Sequence, residues 1–221
     1  MQRLLSWTFL YVCVAGLSGH LVAEADDQST TVGTVERGFH SVFNGKDLTG
    51  WEGDLELWKV RDGMIVGDSP GIRLNEFLAT KKQYGDFELR LEFKLHDGKG
   101  NSGVQFRTRR VPDSSEVEGY QADIGENYWG CLYDEHRRRK VLAQAGPELK
   151  DVLKKDDWNE YIIRAQGNHI VLKINGVTTV DYHEEDPQIA RSGIIAIQVH
   201  SGPPLRVDFR KLRIRELKKN K

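Results

Sequence analysis

From Phe87 to Leu95 apolar and charged side chains alternate without a break: Phe87, Leu89, Leu91, Phe93 and Leu95 against Glu88, Arg90, Glu92 and Lys94. A period of two is the signature of a strand with one face packed and one face wet, and here the wet face reads as ordinary solvated charge of both signs. Similar apolar runs predict strands at Trp58 to Val60, Met64 to Val66, Phe77 to Thr80, Val104 to Arg107, Tyr120 to Ile124 and Trp158 to Ala165. Further strands fit Ile170 to Ile174, Val177 to Tyr182, Ile194 to His200 and Val207 to Leu217. Asp62-Gly63 and Asn175-Gly176 are two-residue hairpin signals, because both residues tolerate the positive φ that such turns demand. Helical signal is confined to Pro147 to Lys155, a short segment that starts at a proline. Roughly a dozen short strands with turn chemistry every 8 to 12 residues or so predict an all-β sandwich or barrel, and no internal repeat points to a propeller.

Three of the predicted strands differ from the rest in what they place on the polar side. Gln105 and Arg107, Gln121 and Asp123, and Gln198 and His200 each stand two residues apart, so each pair shares a face while Val104 and Phe106, Ala122 and Ile124, and Ile197 and Val199 point the other way. Amides, a carboxylate and an imidazole make directional hydrogen bonds. If these strands are neighbours the pairs form one polar floor, suited to the hydroxyls of a sugar; if they are not, the pairs are the solvated faces of half-buried strands.

The 221-residue chain opens with Gln2 and Arg3, an apolar run from Leu4 to Leu17, and small residues at Ala23 and Ala25. That is the pattern of a secretory signal peptide over residues 1–25, too short to span a bilayer at about 20 residues. Residues 26–38 are polar and without periodicity, a flexible leader; 39–217 form one domain, and 218–221 a basic tail. The product is expected to be exported, periplasmic or extracellular, with no membrane contact after cleavage. A net charge of −1 gives no reason to expect nucleic acid. Cys13 lies within the signal, which leaves Cys131 alone; no intrachain disulfide is possible, and a buried inert thiol is expected.

Several motifs fail on their context. Gly98-Lys99-Gly100-Asn101-Ser102-Gly103 matches a phosphate-binding pattern but leads into a strand, so no helix N-terminus is available and a hairpin loop is expected. Asp97, Lys99 and Asn101 imitate a calcium loop whose third and twelfth positions are wrong. His136 to Lys140 is a basic run beside Asp134 and Glu135, read as a solvated loop.

Phe43-Asn44-Gly45-Lys46-Asp47-Leu48-Thr49-Gly50-Trp51, Trp58-Lys59-Val60-Arg61-Asp62-Gly63, Tyr84-Gly85-Asp86-Phe87-Glu88-Leu89 and Asn101 to Arg107 resemble the 3-keto-disaccharide hydrolase-like domain family, as do Trp158 to Tyr161, Asn175 to Val177 and Ile214 to Leu217. The resemblance implies a concanavalin A-like jelly roll, two antiparallel sheets with carbohydrate on the concave face. It also implies a glycoside already oxidised at C3, or an oligosaccharide, as the partner. A carbonyl at C3 acidifies the C2 proton; its removal and β-elimination of the C1 substituent break the glycosidic bond, and water adds back. On this reading Asp123 is the base, or else a ligand for a divalent cation, Arg107 steadies the enolate and His200 is the acid. Gln105, Gln121 and Gln198 hold hydroxyls, Trp129 and Tyr133 stack on the sugar, and Glu118 is a reserve carboxylate. The family commonly shows Tyr-Glu-Val-Gln-Ile where this chain has Tyr120-Gln121-Ala122-Asp123-Ile124, which moves the acid by about 6.6 Å along the strand. A non-catalytic, lectin-like binding module is the alternative.

Overall fold

The computed structural model describes residues 36–218; the expected signal peptide, all but the end of the expected leader, and residues 219–221 lie outside the described residues. The strands are β1 (His40–Ser41), β2 (Trp51–Glu52), β3 (Trp58–Arg61), β4 (Met64–Ser69), β5 (Glu76–Tyr84), β6 (Phe87–Leu95), β7 (Asn101–Arg110) and β8 (Val117–Gly125). They continue with β9 (Leu132–Glu135), β10 (Lys140–Ala143), β11 (Asn159–Gln166), β12 (His169–Ile174), β13 (Val177–His183), β14 (Gly193–Val199) and β15 (Leu205–Glu216). One sheet runs β13-β12-β11-β6-β15-β4-β3, with β1 beside β15, and the other runs β10-β9-β8-β7-β14-β5-β2. The pairings are antiparallel throughout. The all-β jelly-roll sandwich expected from the sequence is what the chain forms.

Strand alternation builds the core. Leu89, Leu91, Phe93, Tyr161, Ile163 and Phe209 of one sheet meet Val104, Phe106, Ala122, Ile124, Ile197 and Val199 of the other, all fully buried. At about 25 cal/mol per Å² of apolar surface removed from water, this layer is the main favourable contribution to folding. The opposite face of β6 is less open than its charges suggest. Glu88 is only 6% exposed, paired with Arg90 and Arg215, and Glu92 is paired with Arg210 and Lys211.

Both hairpin signals form as expected. Asp62 and Gly63 join β3 to β4 with φ of 50° and 72°, and Asn175 and Gly176 join β12 to β13 with φ of 48° and 85°. Three expectations change. The Gly98–Gly103 segment is not a hairpin loop: it carries the chain from β6 in one sheet to β7 in the other. Pro147–Asp151 closes only a 3₁₀ turn. The segment read as a solvated basic loop is the turn between β9 and β10, strands of four residues each that are too short to show a period.

One break in alternation matters for the site. Between Phe106 and Arg109 strand β7 holds two residues, Arg107 and Thr108, where β8 holds only Gly119. This is a β-bulge, and Arg107 adopts a φ of 48° to make it. Glycines flank the bulge on both neighbouring strands because nothing larger fits. A Cβ on Gly193 of β14 would lie 2.4 Å from Thr108 N, and one on Gly119 2.3 Å from Thr108 Oγ1. Gly193→Ala should therefore cost about 1–3 kcal/mol, as overpacking does; a denaturation midpoint equal to that of the wild type would show that the bulge is not held this way.

Candidate functional site

The three polar strands are neighbours in the order β8-β7-β14, and two of the three doublets do share a wall. Gln121 and Asp123 project from the outer face of β8, the face away from the core. The register pairs Gln121 with Gln105 of β7 and with Tyr133 of β9, and Asp123 with Gly103. Gly103 is small for a reason: a Cβ there would lie 2.5 Å from Gln121 Cδ, so the Gln121 side chain lies across it. Gln198 and His200 reach the same face from β14 and the residue after it.

Hydrogen bonds tie the floor together and converge on Asp123. Thr108 Oγ1 donates to Gln105 Oε1 at 3.1 Å, Gln105 Nε2 to Gln121 Oε1 at 2.7 Å, and Gln121 Nε2 to Asp123 Oδ2 at 2.9 Å. Asn101 Nδ2 donates to Asp123 Oδ1 at 2.8 Å. The carboxyl is 3% exposed. Burial pushes its pKa from the ordinary 3.8 to about 7; the nearby charge of Glu135 adds to this, and the amide donors from Gln121 and Asn101 offset part of it. Gln105 and Gln198 are both fully buried, so neither expected hydroxyl-holder is exposed to a ligand; Gln198 differs in that neither its amide oxygen nor its nitrogen has a partner.

A cavity of about 140 Å³ opens above Asp123. Tyr133 and Glu135 of β9 form one side, Tyr128 stands edge-on to Tyr133 at 6.2 Å, and Asn75 and His200 complete the rim. Burial and the charge of Glu116 raise the Glu135 pKa, against the opposing pull of His200 and His136. Burial and the charge of Glu135 raise that of Tyr133, which therefore stays a hydroxyl donor. His200 Nδ1 lies 2.6 Å from Ser201 O; a carbonyl only accepts, so Nδ1 carries a proton and Nε2 is left for other partners. A wider cleft of about 640 Å³ shares Asn101 and His200 with this cavity and continues past Lys99 and Leu205.

Arg107, Glu118 and Trp129 are not part of this wall. The bulge removes Arg107 from the face of Gln105: it is 4% exposed, ion-paired to Asp86 at 2.8 Å, and donates to Gly85 O and Gly167 O. It fastens loops at one end of the sandwich and cannot steady an enolate at Asp123. Glu118 is paired with Arg109 and lines a separate cavity with Arg107. Trp129 stacks on Phe93 at 6.3 Å between centroids and packs against the core. Conversely, Glu135, Asn101, Asn75 and Tyr128 were not expected at the site. Tyr133 and Glu135 are themselves a doublet two residues apart, the same signal as the other three, but hidden in a run of charges. Among the described residues, Asp123, Glu135 and His200 do not bring their ligand atoms close enough to share a cation; the one group of three that does is His169, Asp181 and His183.

Cys131 is buried and free, its thiol pushed up by burial, as expected for an inert core residue. In the β9–β10 turn, Arg137 and Arg138 pair with the fully buried Asp134, and Arg138 also with Glu184 at 2.6 Å, so these cations are internal braces.

A family profile described as the 3-keto-alpha-glucoside-1,2-lyase-like domain matches residues 38–215. The chain belongs to that family. No curated protein matches it. Among solved structures, a Parabacteroides distasonis ATCC 8503 protein assigned only provisionally to the glycosyl hydrolases is 22% identical with a TM-score of 0.63, over 82% of this chain and 94% of that one. A carbohydrate-binding module, CBM66 of Bacillus subtilis, is 16% identical with a TM-score of 0.60, over 76% and 96%. A B. subtilis protein of galectin-like fold is 10% identical with a TM-score of 0.60, over 78% and 92%. At these identities the likeness is one of fold. The family profile and the shared fold together make this a 3-keto-alpha-glucoside-1,2-lyase-like domain built as a jelly roll.

The raised Asp123 pKa carries a stability consequence. Folding favours the protonated acid, so stability is fully present below about pH 4, falls as pH rises towards 7, and then levels. Asp123→Asn removes the titration. Relative to the wild type it should gain on the order of 3–4 kcal/mol between pH 4 and pH 8 or so, at about 1.4 kcal/mol per unit; parallel stability–pH curves for the two proteins would show that Asp123 titrates normally.

Proposed function

We propose that this is an exported enzyme that cleaves the glycosidic bond of a 3-keto-glycoside by abstracting the C2 proton and eliminating the C1 substituent. The observation that carries the reading is Asp123: a carboxylate at the floor of a cleft, clasped by two amides and poised by burial near neutral pH, where a general base works best. The acid strength of a proton next to a ketone makes one such base sufficient.

The remaining roles fall to the rim. We assign to Tyr133, which lines the cavity, the hydroxyl that donates to the developing enolate, a role the displaced Arg107 cannot fill. Glu135, its pKa raised and close enough to His200 to feel its charge, forms with the imidazole an acid pair for the departing oxygen. The leaving sugar would occupy the wider cleft beyond Asn101 and His200. The orphan amide of Gln198 is a hydrogen-bonding group in want of a partner beneath this floor.

Lectin-like binding without chemistry is the second reading. It is favoured by the fact that both Asp123 oxygens already accept amide hydrogens, as in a purely structural floor.

Turnover of a 3-keto-glucoside by the purified chain separates the two. On the enzyme reading kcat/KM should rise with pH and level above about 7, the limb of a base with the Asp123 pKa. Asp123→Asn should lower kcat by about 100-fold or more with folding intact, and Trp129→Ala should leave KM unchanged. A wild-type protein that binds oligosaccharide but turns over no 3-keto-glycoside, or an Asp123→Asn variant of full activity, would refute the enzyme reading.

A further inference from the structure

A second set of chemically capable side chains sits in the other sheet, remote in topology from Asp123. His169 of β12 and His183 of β13 are directly opposite in the antiparallel register, and Asp181 stands two residues before His183 on the same face. The imidazoles stack with centroids 4.2 Å apart and planes 4° from parallel, and His169 Nε2 donates to Asp181 Oδ1 at 2.6 Å. One ligand atom from each of the three lies within 4.8 Å of the others, and all three side chains are at least partly exposed.

We propose that His169, Asp181 and His183 bind a divalent d-block ion, with Zn²⁺ as the reference case. The donor set argues for the class of metal: two imidazoles and one carboxylate suit zinc, nickel or copper, whereas calcium and magnesium demand oxygen. The geometry argues for feasibility. Ligands about 2.0–2.1 Å from a tetrahedral ion stand about 3.3 Å apart, so the stacked rings must turn until their in-plane nitrogens face one ion, the 2.6 Å hydrogen bond must open and the longest separation close, all by side-chain rotation on strands whose register holds the Cα positions. The metal replaces the Nε2 proton of His169, which leaves to solvent, and a water takes the fourth position.

Opposite His169 on β11 is Gln166, whose Oε1 accepts from Arg164 at 2.7 Å, which keeps that cation turned along its own strand. The consequence is mechanical. Among the described residues β13 is the edge of its sheet, with a strand partner on one side only, and an ion bridging it to β12 would pin that strand.

The test is a Zn²⁺ titration of the full chain by calorimetry, with bound metal counted after dialysis. The wild type should bind one zinc per chain and its Tm should rise. His169→Ala and His183→Ala should each weaken the affinity by about tenfold or more, while His200→Ala should bind as the wild type does. The substituted side chains are partly or fully exposed, so folding is not at stake. A wild type without stoichiometric zinc, or a His169→Ala/His183→Ala double variant that binds unchanged, would overturn the proposal, and neither result bears on the chemistry at Asp123.

Discussion

The site depends on a single geometric constraint, the alternation of side chains across a strand, and on the one place where that alternation is broken. Because Ala122 and Ile124 are locked into the core, Gln121 and Asp123 have only the outer face to go to, and β7, β9 and β14 add their own polar residues to the same wall. One residue of slip in β8 would bury the carboxylate between the sheets and expose the core. The bulge at Arg107 and Thr108 ends the wall: beyond it the parity reverses, and the guanidinium that would have joined the floor instead closes the end of the sandwich against Asp86.

A carboxylate with 3% exposure is costly to ionise, and the fold does not remove that cost. It supplies two side-chain amide donors, the backbone N–H of Ile124 and no cation: none of these carries charge, and the nearby Glu135 acts in the wrong direction for stability. A purely structural acid would be better served by an arginine, as Asp86 is by Arg107 and Asp134 by Arg137 and Arg138. The same chain thus contains buried acids neutralised by arginine and one that is left poised. Sites where local consistency is given up in this way are where function is to be sought.

Much of this was legible in the residues. Period-two patterns marked the long strands, Asp62-Gly63 and Asn175-Gly176 marked their turns, and the doublets at Gln121/Asp123 and Gln198/His200 marked the wall. What was hidden had physical reasons. The displacement of Arg107 follows from a backbone φ that an arginine does not advertise, and its only trace is glycine on both neighbouring strands, at Gly119 and Gly193. Strand β9 carries polar residues on both faces, since Asp134 is held by ion pairs and not by apolar contacts, so Glu135 looked like part of a charged loop. Trp129 offered no sequence clue to whether it faced ligand or core; Phe93 decides that.

The most direct measurement is the titration of the Asp123 carboxyl itself, by ¹³C NMR of aspartate side-chain carbons, with Asp123→Asn supplying the assignment. The account predicts one aspartate with a midpoint near 7, shifted when a native disaccharide is added. If every aspartate carboxyl titrates below about pH 5, or if saturating sugar leaves the Asp123 signal unmoved, the poised carboxylate at the floor of a sugar site does not exist.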